Sequence, residues 1–201
     1  MRVETGNGCI NKFQDDESGS VAIETVIILP IMVWAYLTMF TIFDSYRQYT
    51  TQQKAIYTIS DLISRQATPM DASFIDGAHS LFVSLSRTIG VPGLRVTVAK
   101  YDFTALEYQV VWSRTRGGMI GLQSQDVASW SDRLPELAED DQIIIVETSA
   151  AFAPVFNVGL SAQTINNFVF TRPRYVPQVC FETICDLPSP VRPEQSEQEQ
   201  A

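Results

Sequence analysis

With 201 residues the chain has room for one compact domain and an appendage rather than for two independent cores. Its formal charge of −9, of which −6 remains after residue 43 (12 basic against 18 acidic groups), removes any electrostatic reason to bind nucleic acid or anionic lipid. Hydrophobic content is an ordinary 45 %, but the apolar residues crowd into one stretch near the N-terminus, so the two parts of the chain are read separately.

Residues 1–19 form a short polar leader, and residues 20–43 then read SVAIETVIILPIMVWAYLTMFTIF, with Glu24 the single charge. At ~1.5 Å per residue this run covers ~36 Å, enough to cross a hydrocarbon core of about 30 Å with some tilt. Twelve of its residues are Val, Ile, Leu or Phe. Each favours insertion by roughly 0.3 to 0.6 kcal/mol at mid-membrane, which outweighs one carboxylate placed a turn from the boundary. A buried soluble helix is usually shorter, and a secretory signal would have a shorter apolar region followed by a small-residue cleavage site. No such site precedes Asp44, where the chain turns polar. The run therefore predicts an uncleaved transmembrane helix. Arg2 and Lys12 before it balance Arg47 and Lys54 after it, so flanking charge does not orient it.

Residues 44–66 continue without Pro or Gly, and Tyr46, Tyr49, Ile56, Ile59 and Ile63 recur at helical spacing. This predicts an amphipathic continuation of the anchor. Thr68-Pro69-Met70-Asp71 then offers an N-cap, a proline at the first helical position and an acid in the first turn. Phe74, Ala78, Leu81, Phe82 and Leu85 make one face of the helix up to Gly90.

After Pro92-Gly93 the period becomes two. Leu94, Val96 and Val98 share one face, and Leu106, Tyr108, Val110 and Trp112 share another, an antiparallel pair ended by Gly117-Gly118. A short helix through Val127, Trp130 and Leu134 and two more strands, Gln142 to Phe152 and Thr164 to Arg172, complete an α+β domain with a small antiparallel sheet packed on helices. The domain is expected over residues 44–185. Residues 186–201, rich in Pro, Glu and Gln, are expected to be a disordered tail.

Cys180 and Cys185 form a C-x4-C pair, a spacing that can close a small disulfide loop in an oxidising compartment and so points to an extracytoplasmic domain. A zinc site would need further ligands, and only Cys9, across the membrane, and the lone His79 are on offer. Catalytic signatures are absent: neither G-x-S-x-G, H-E-x-x-H nor a phosphate-binding glycine loop occurs, and His79 flanks an apolar stripe. The acid pairs Asp15-Asp16 and Asp140-Asp141 read as solvated. No enzyme, cofactor or metal is expected. Glu24 is more informative, because an ionisable group inside a membrane segment is costly enough to suggest a role. The competing reading is an interfacial residue that reaches headgroup water.

Phe13, Asp15-Asp16-Glu17, Gly19-Ser20, Val21-Ala22-x-Glu24 and Leu29-Pro30 together resemble the N-terminal signature of TadE/TadG-like proteins of the bacterial tight-adherence (Flp, type IVc) pilus machinery. The order of one anchor and then a mixed domain is also similar, as is Thr171-Arg172-Pro173-Arg174. The resemblance implies a minor pseudopilin or pilus-assembly component in the inner membrane, with a cytoplasmic N-terminus and a periplasmic domain. The partners it implies are other pseudopilins and pilus-assembly proteins, membrane lipid and, if the leader is removed, a prepilin peptidase. In pilin-like proteins that peptidase cuts after a glycine, and a glutamate at the fifth mature position serves in assembly; Gly19 and Glu24 match those positions, with Ser20 the first mature residue. Two features depart from the pattern: Thr25 stands where Flp pilins carry tyrosine, and the leader has a net charge of −2 where many are basic. Cleavage would expose an ammonium at Ser20, one turn from Glu24, and the ammonium of a neighbouring subunit could neutralise that carboxylate within the membrane. Pro30 removes one backbone hydrogen bond in the span, so a kink is expected there. The alternative is an uncleaved, membrane-anchored periplasmic binding or adhesion module that enters no filament.

Overall fold

The computed structural model describes residues 18–86, 88, 90–138 and 141–185. Most of the leader and the whole C-terminal tail lie outside them. Helix α1 runs from Ser18 to Ser64 and α2 from Ala72 to Ser86. Strands β1 (Gly93–Asp102) and β2 (Glu107–Arg116) follow, then the one-turn helix α3 (Ser124–Val127), a 3-10 turn at Trp130–Asp132, and strands β3 (Gln142–Phe152) and β4 (Gln163–Thr171). The fold is α+β, a long apolar helix followed by a helix and a four-stranded antiparallel sheet of order β2-β1-β3-β4. The described residues form two compact units, one holding those of 18–45 with 154–161, the other those of 46–153 with 162–185.

In the first unit the N-terminal half of α1 is apolar and uncovered. Its most apolar stretch is almost entirely uncovered, unlike the core helix of a globular domain, and the helix is long and apolar enough to span a membrane. The hydroxyls of Thr25, Thr38 and Thr41 donate to the carbonyls of Val21, Trp34 and Leu37, one turn back, so each is paired within the helix. The residues with reduced exposure, Leu37, Thr38, Thr41, Asp44 and Ser45, recur at helical spacing on one side. Segment 154–161, which links β3 to β4, belongs with this half, and Phe156 meets Phe40 edge to face at 5.8 Å.

The second unit is built on the other half of α1. Gln52, Ala55, Ile56, Ile59, Ser60, Ile63 and Ser64 are buried at spacings of three and four. Tyr46 and Tyr49, expected on this stripe, are instead 67 % and 41 % exposed. Traced toward the N-terminus from Gln52, the packed face passes through the half-buried Gln48, and Tyr49 is turned ~100° away from it.

Helix α2 starts three residues later than its expected first position. Asp71 is the cap: its carboxylate accepts from the Phe74 N–H at 2.8 Å and from the Ser73 hydroxyl at 2.7 Å. Thr68 and Pro69 precede the helix, and Met70 pairs with Phe181 as a parallel bridge. Its packed side is Ile75, Ala78 and Phe82, while Leu85 is 39 % exposed.

These helices cover one face of the sheet through Leu94, Val96, Val98, Trp112, Ile144 and Val146. A second apolar cluster covers the opposite face, where Ala99, Tyr108, Ile143 and Ile145 meet Val127, Leu134 and Leu137. Strand β3 is thus buried on both sides, which accounts for its run of Ile143-Ile144-Ile145-Val146 in place of strict alternation.

The expected common face of Leu106, Tyr108, Val110 and Trp112 does not exist. Val98 pairs with Trp112 but Ala99 with Val110, so Val111 is an extra residue that bulges β2 and reverses its side-chain parity. Trp112 consequently joins the helix-side core and Tyr108 the opposite one, where its ring lies 5.1 Å from Tyr101. Leu106, in the hairpin turn at φ 56°, is 70 % exposed. Gly117 ends β2 at φ 67°, and a Cβ there would fall 2.1 Å from the Pro92 carbonyl oxygen, so only glycine fits. The helix expected through Val127, Trp130 and Leu134 is two separate turns, α3 and the 3-10 turn. Strand β3 matches its expected limits, and β4 spans Gln163–Thr171 rather than 164–172.

Candidate functional site

Two groups of residues stand out, one on the uncovered half of α1 and one around the cysteine pair. In the uncovered half, Gly19 and Glu24 lie in the first turns of α1 and both are exposed. Ser20 and Glu24, four apart on a continuous helix, are one turn apart. Among the described residues nothing lies within 4 Å of the place a Cβ would occupy at Gly19, so none of them demands a glycine there. Glu24, Thr25, Ile28, Leu29, Met32 and Val33 line a shallow groove on the helix surface. Pro30 lies inside α1, which continues through it as helix, although Val26 loses the N–H that would otherwise donate to its carbonyl.

Around the cysteines the structure brings together more than the spacing suggested. Cys180 and Cys185 stand at disulfide distance, S–S 2.14 Å and Cα–Cα 4.1 Å. Within their loop the Phe181 N–H donates to the Ile184 carbonyl and the Ile184 N–H donates back, both at 2.8 Å. The Met70 backbone clips the loop from outside: its N–H donates to the Cys180 carbonyl at 2.9 Å, and its carbonyl accepts from the Glu182 N–H at 2.7 Å.

Gln142, at the start of β3 and 2 % exposed, holds the loop at both ends. Its amide NH2 donates to the Cys185 carbonyl at 2.7 Å, and its side-chain oxygen accepts from the Val179 N–H at 2.8 Å. Phe181 enters the core against Trp112, with ring centroids 5.6 Å apart, while the Trp112 indole N–H donates to the Val179 carbonyl at 2.8 Å and the Arg114 guanidinium lies 4.2 Å from the Phe181 ring centroid. Upstream, Arg174 donates its N–H to the Ser64 carbonyl, satisfying one of the open carbonyls at the end of α1, and its guanidinium faces Asp61 at 3.4 Å. Arg172 faces Asp141 at 3.4 Å and donates to the Glu136 carbonyl. The segment after β4 is thus a strap that returns across both helices and the sheet.

Sequence reasoning missed Gln142, Met70 and Trp112 as partners of the cysteine loop. A glutamine opening a run of four apolar strand residues was the one available sign that a polar side chain would be buried and committed. It also missed Gln52, fully buried on α1, whose side-chain oxygen accepts from Asn167 of β4 at 3.3 Å. Arg95 and Glu147, paired across β1 and β3, form a largely buried ion pair at 2.7 Å.

Charged groups elsewhere serve local structure. Hydrogen bonds from the Phe74 N–H and then the Ser73 hydroxyl lower the pKa of Asp71. Asp76 is lowered by its hydrogen bond from Arg116, which ties α2 to β2. The Thr104 and Ala105 N–H groups lower Asp102 in the β1–β2 turn. Burial raises the pKa of Tyr108, whose hydroxyl donates to the Pro135 carbonyl at 2.6 Å. His79 uses Nε2 to reach the Pro92 carbonyl at 2.8 Å, and because a carbonyl only accepts, that nitrogen carries the proton. His79 therefore pins α2 to the start of β1. Among the described residues no three of His, Cys, Asp and Glu gather as metal ligands.

Compared with family models, with curated proteins and with solved structures, the chain finds no match.

Proposed function

We propose that this protein is a non-enzymatic, membrane-anchored component of a tight-adherence (Flp, type IVc) pilus, a minor pseudopilin acting through its anchor helix and an extracytoplasmic α+β domain. The observation that carries this reading is the division of one continuous 47-residue helix: its N-terminal half is apolar and uncovered with Glu24 near its start, and its C-terminal half is a core element of a domain. A helix built this way can pack against like helices in a bilayer while its other end is built into the domain it anchors. The arrangement Gly19-Ser20-Val21-Ala22-Ile23-Glu24 supplies the junction at which a prepilin peptidase would cut and the carboxylate that would pair with the new ammonium of a neighbour. The N-terminus is cytoplasmic in this reading, and the domain with its cysteine pair lies in the oxidising periplasm.

Two measurements test the proposal. Intact mass of the protein from native membranes should begin at Ser20, and Gly19→Leu should keep Met1, because a bulky side chain obstructs close backbone approach by the protease. A wild-type chain that keeps Met1 favours a membrane-anchored binding or adhesion module instead. Glu24→Ala removes a membrane penalty, so the protein should accumulate normally. The partner's ammonium, however, is left uncompensated in a low-dielectric setting, which weakens association by roughly 3 kcal/mol. Co-purification with other pilus components and surface piliation should both fall. Unchanged piliation and partner recovery would refute the role of Glu24.

A further inference from the structure

We infer that segment 154–161, the connection between β3 and β4, is a second membrane contact that lies in the lipid interface beside the end of the anchor helix. The inference rests on reading residues 20–43 as a membrane span, and three observations carry it. First, the segment is apolar where an exposed connection is ordinarily polar: it reads Pro-Val-Phe-Asn-Val-Gly-Leu-Ser, and no Asp, Glu, Lys or Arg occurs between Glu147 and Arg172. Second, two of its apolar side chains are left open, Val155 70 % and Phe156 37 % exposed, while Val158 and Leu160 are half-buried.

The third observation sets the depth. Phe156 packs edge to face on Phe40, and the segment belongs to the same compact unit as the anchor half of α1. Phe40 is one turn before Asp44, the first charge after Glu24, so it lies ~6 Å along the helix inside the charged boundary of the span. A side chain stacked on Phe40 shares that level. Wherever the span is in lipid, Phe156 is at its edge, and Val155 next to it has no protein to cover it. The occupant that fits an uncharged, apolar surface continuous with a membrane span is the same bilayer leaflet, at the depth where acyl chains meet headgroups. The contact should need no anionic lipid, since the segment carries no basic residue.

Depth-dependent quenching tests this on the full chain, with Cys9→Ser and the cysteine pair left oxidised, in neutral phosphatidylcholine vesicles. Single cysteines at Val155→Cys and, as a second loop position, Asn157→Cys carry an environment-sensitive fluorophore. Met32→Cys marks the middle of the span, and Ile120→Cys, on a residue 82 % exposed in the other unit, marks water. Phospholipids bearing a nitroxide near the headgroup should quench the loop labels several-fold more than the Ile120 label, and nitroxides deep in the acyl chain should favour the Met32 label. Loop labels that behave like Ile120 while Met32 is quenched overturn the inference and leave the span intact. Loss of quenching at Met32 as well overturns the span and, with it, this contact. Near-UV circular dichroism matching the unlabelled protein keeps a folding defect from being read as either result.

Discussion

Replacing both Cys180 and Cys185 with serine tests what the cysteine pair contributes. The two are five apart, so the bond closes a loop of six residues, and the chain-entropy relation gives about 2 kcal/mol at 25 °C from the restriction of the unfolded chain. The native strap does not depend on the sulfurs for its position. Phe181 and Val179 are buried, Met70 makes two backbone hydrogen bonds to the loop, and Gln142 makes one at either end. The doubly substituted protein should therefore fold with its Trp112 environment unchanged and unfold earlier. With a urea dependence of about 2 kcal/mol per molar, the midpoint should fall by roughly 1 M. Urea titration of the full chain in mild detergent, followed by tryptophan fluorescence and near-UV circular dichroism, reads both quantities. An unchanged midpoint would refute the entropic argument. A native-state change at Trp112 would show instead that the bond, not the packing, positions the strap.

The strap makes its own predictions. Gln142→Ala strips the Val179 N–H and the Cys185 carbonyl of their side-chain partner at a buried site, and should cost about 2 to 4 kcal/mol with faster hydrogen exchange around residues 179–185. Phe181→Ala removes a buried ring from the helix-side core and should cost about 3 to 5 kcal/mol, with red-shifted Trp112 emission in the native state. Asp71 has its pKa depressed in the folded state, so its cap contributes above the ordinary carboxylate pKa and is lost as pH falls through the folded value. The stability advantage of wild type over Asp71→Ala should therefore be full at pH 6 and shrink below about pH 4, measured by urea midpoints across that range. A constant difference would contradict the cap.

Legibility in the sequence followed the range of the forces involved. The apolar run of residues 20–43 declares by its length alone a helix long and apolar enough to span a membrane, because that requirement is set by the thickness of a solvent and not by any partner. The limits of β3 and the glycine stop at Gly117-Gly118 were equally local, as were the cysteine pair and the α+β class. Where a side chain is directed by a neighbour distant in sequence, the pattern misled. Tyr46 and Tyr49 have the spacing of a packed face, but the face runs through Gln48 and Gln52, since Gln52 has Asn167 of β4 as partner. Trp112 and Tyr108 have the spacing of one sheet face, and the bulge at Val111 sends them to opposite cores, a shift that shows only in the register against β1. Thr68-Pro69 has the composition of a helix start, yet pairing of Met70 with Phe181 draws that backbone into an extended bridge and moves the cap to Asp71. The placing of Gly19 and Glu24 in the first turns of one continuous helix was readable because it concerns local helix geometry alone. The meeting of Phe40 with Phe156, of Gln142 with both ends of the cysteine loop, and of Arg174 with the end of α1 was decided only by the tertiary structure, because each joins segments whose separation along the chain carries no local energetic trace until the sheet between them has formed.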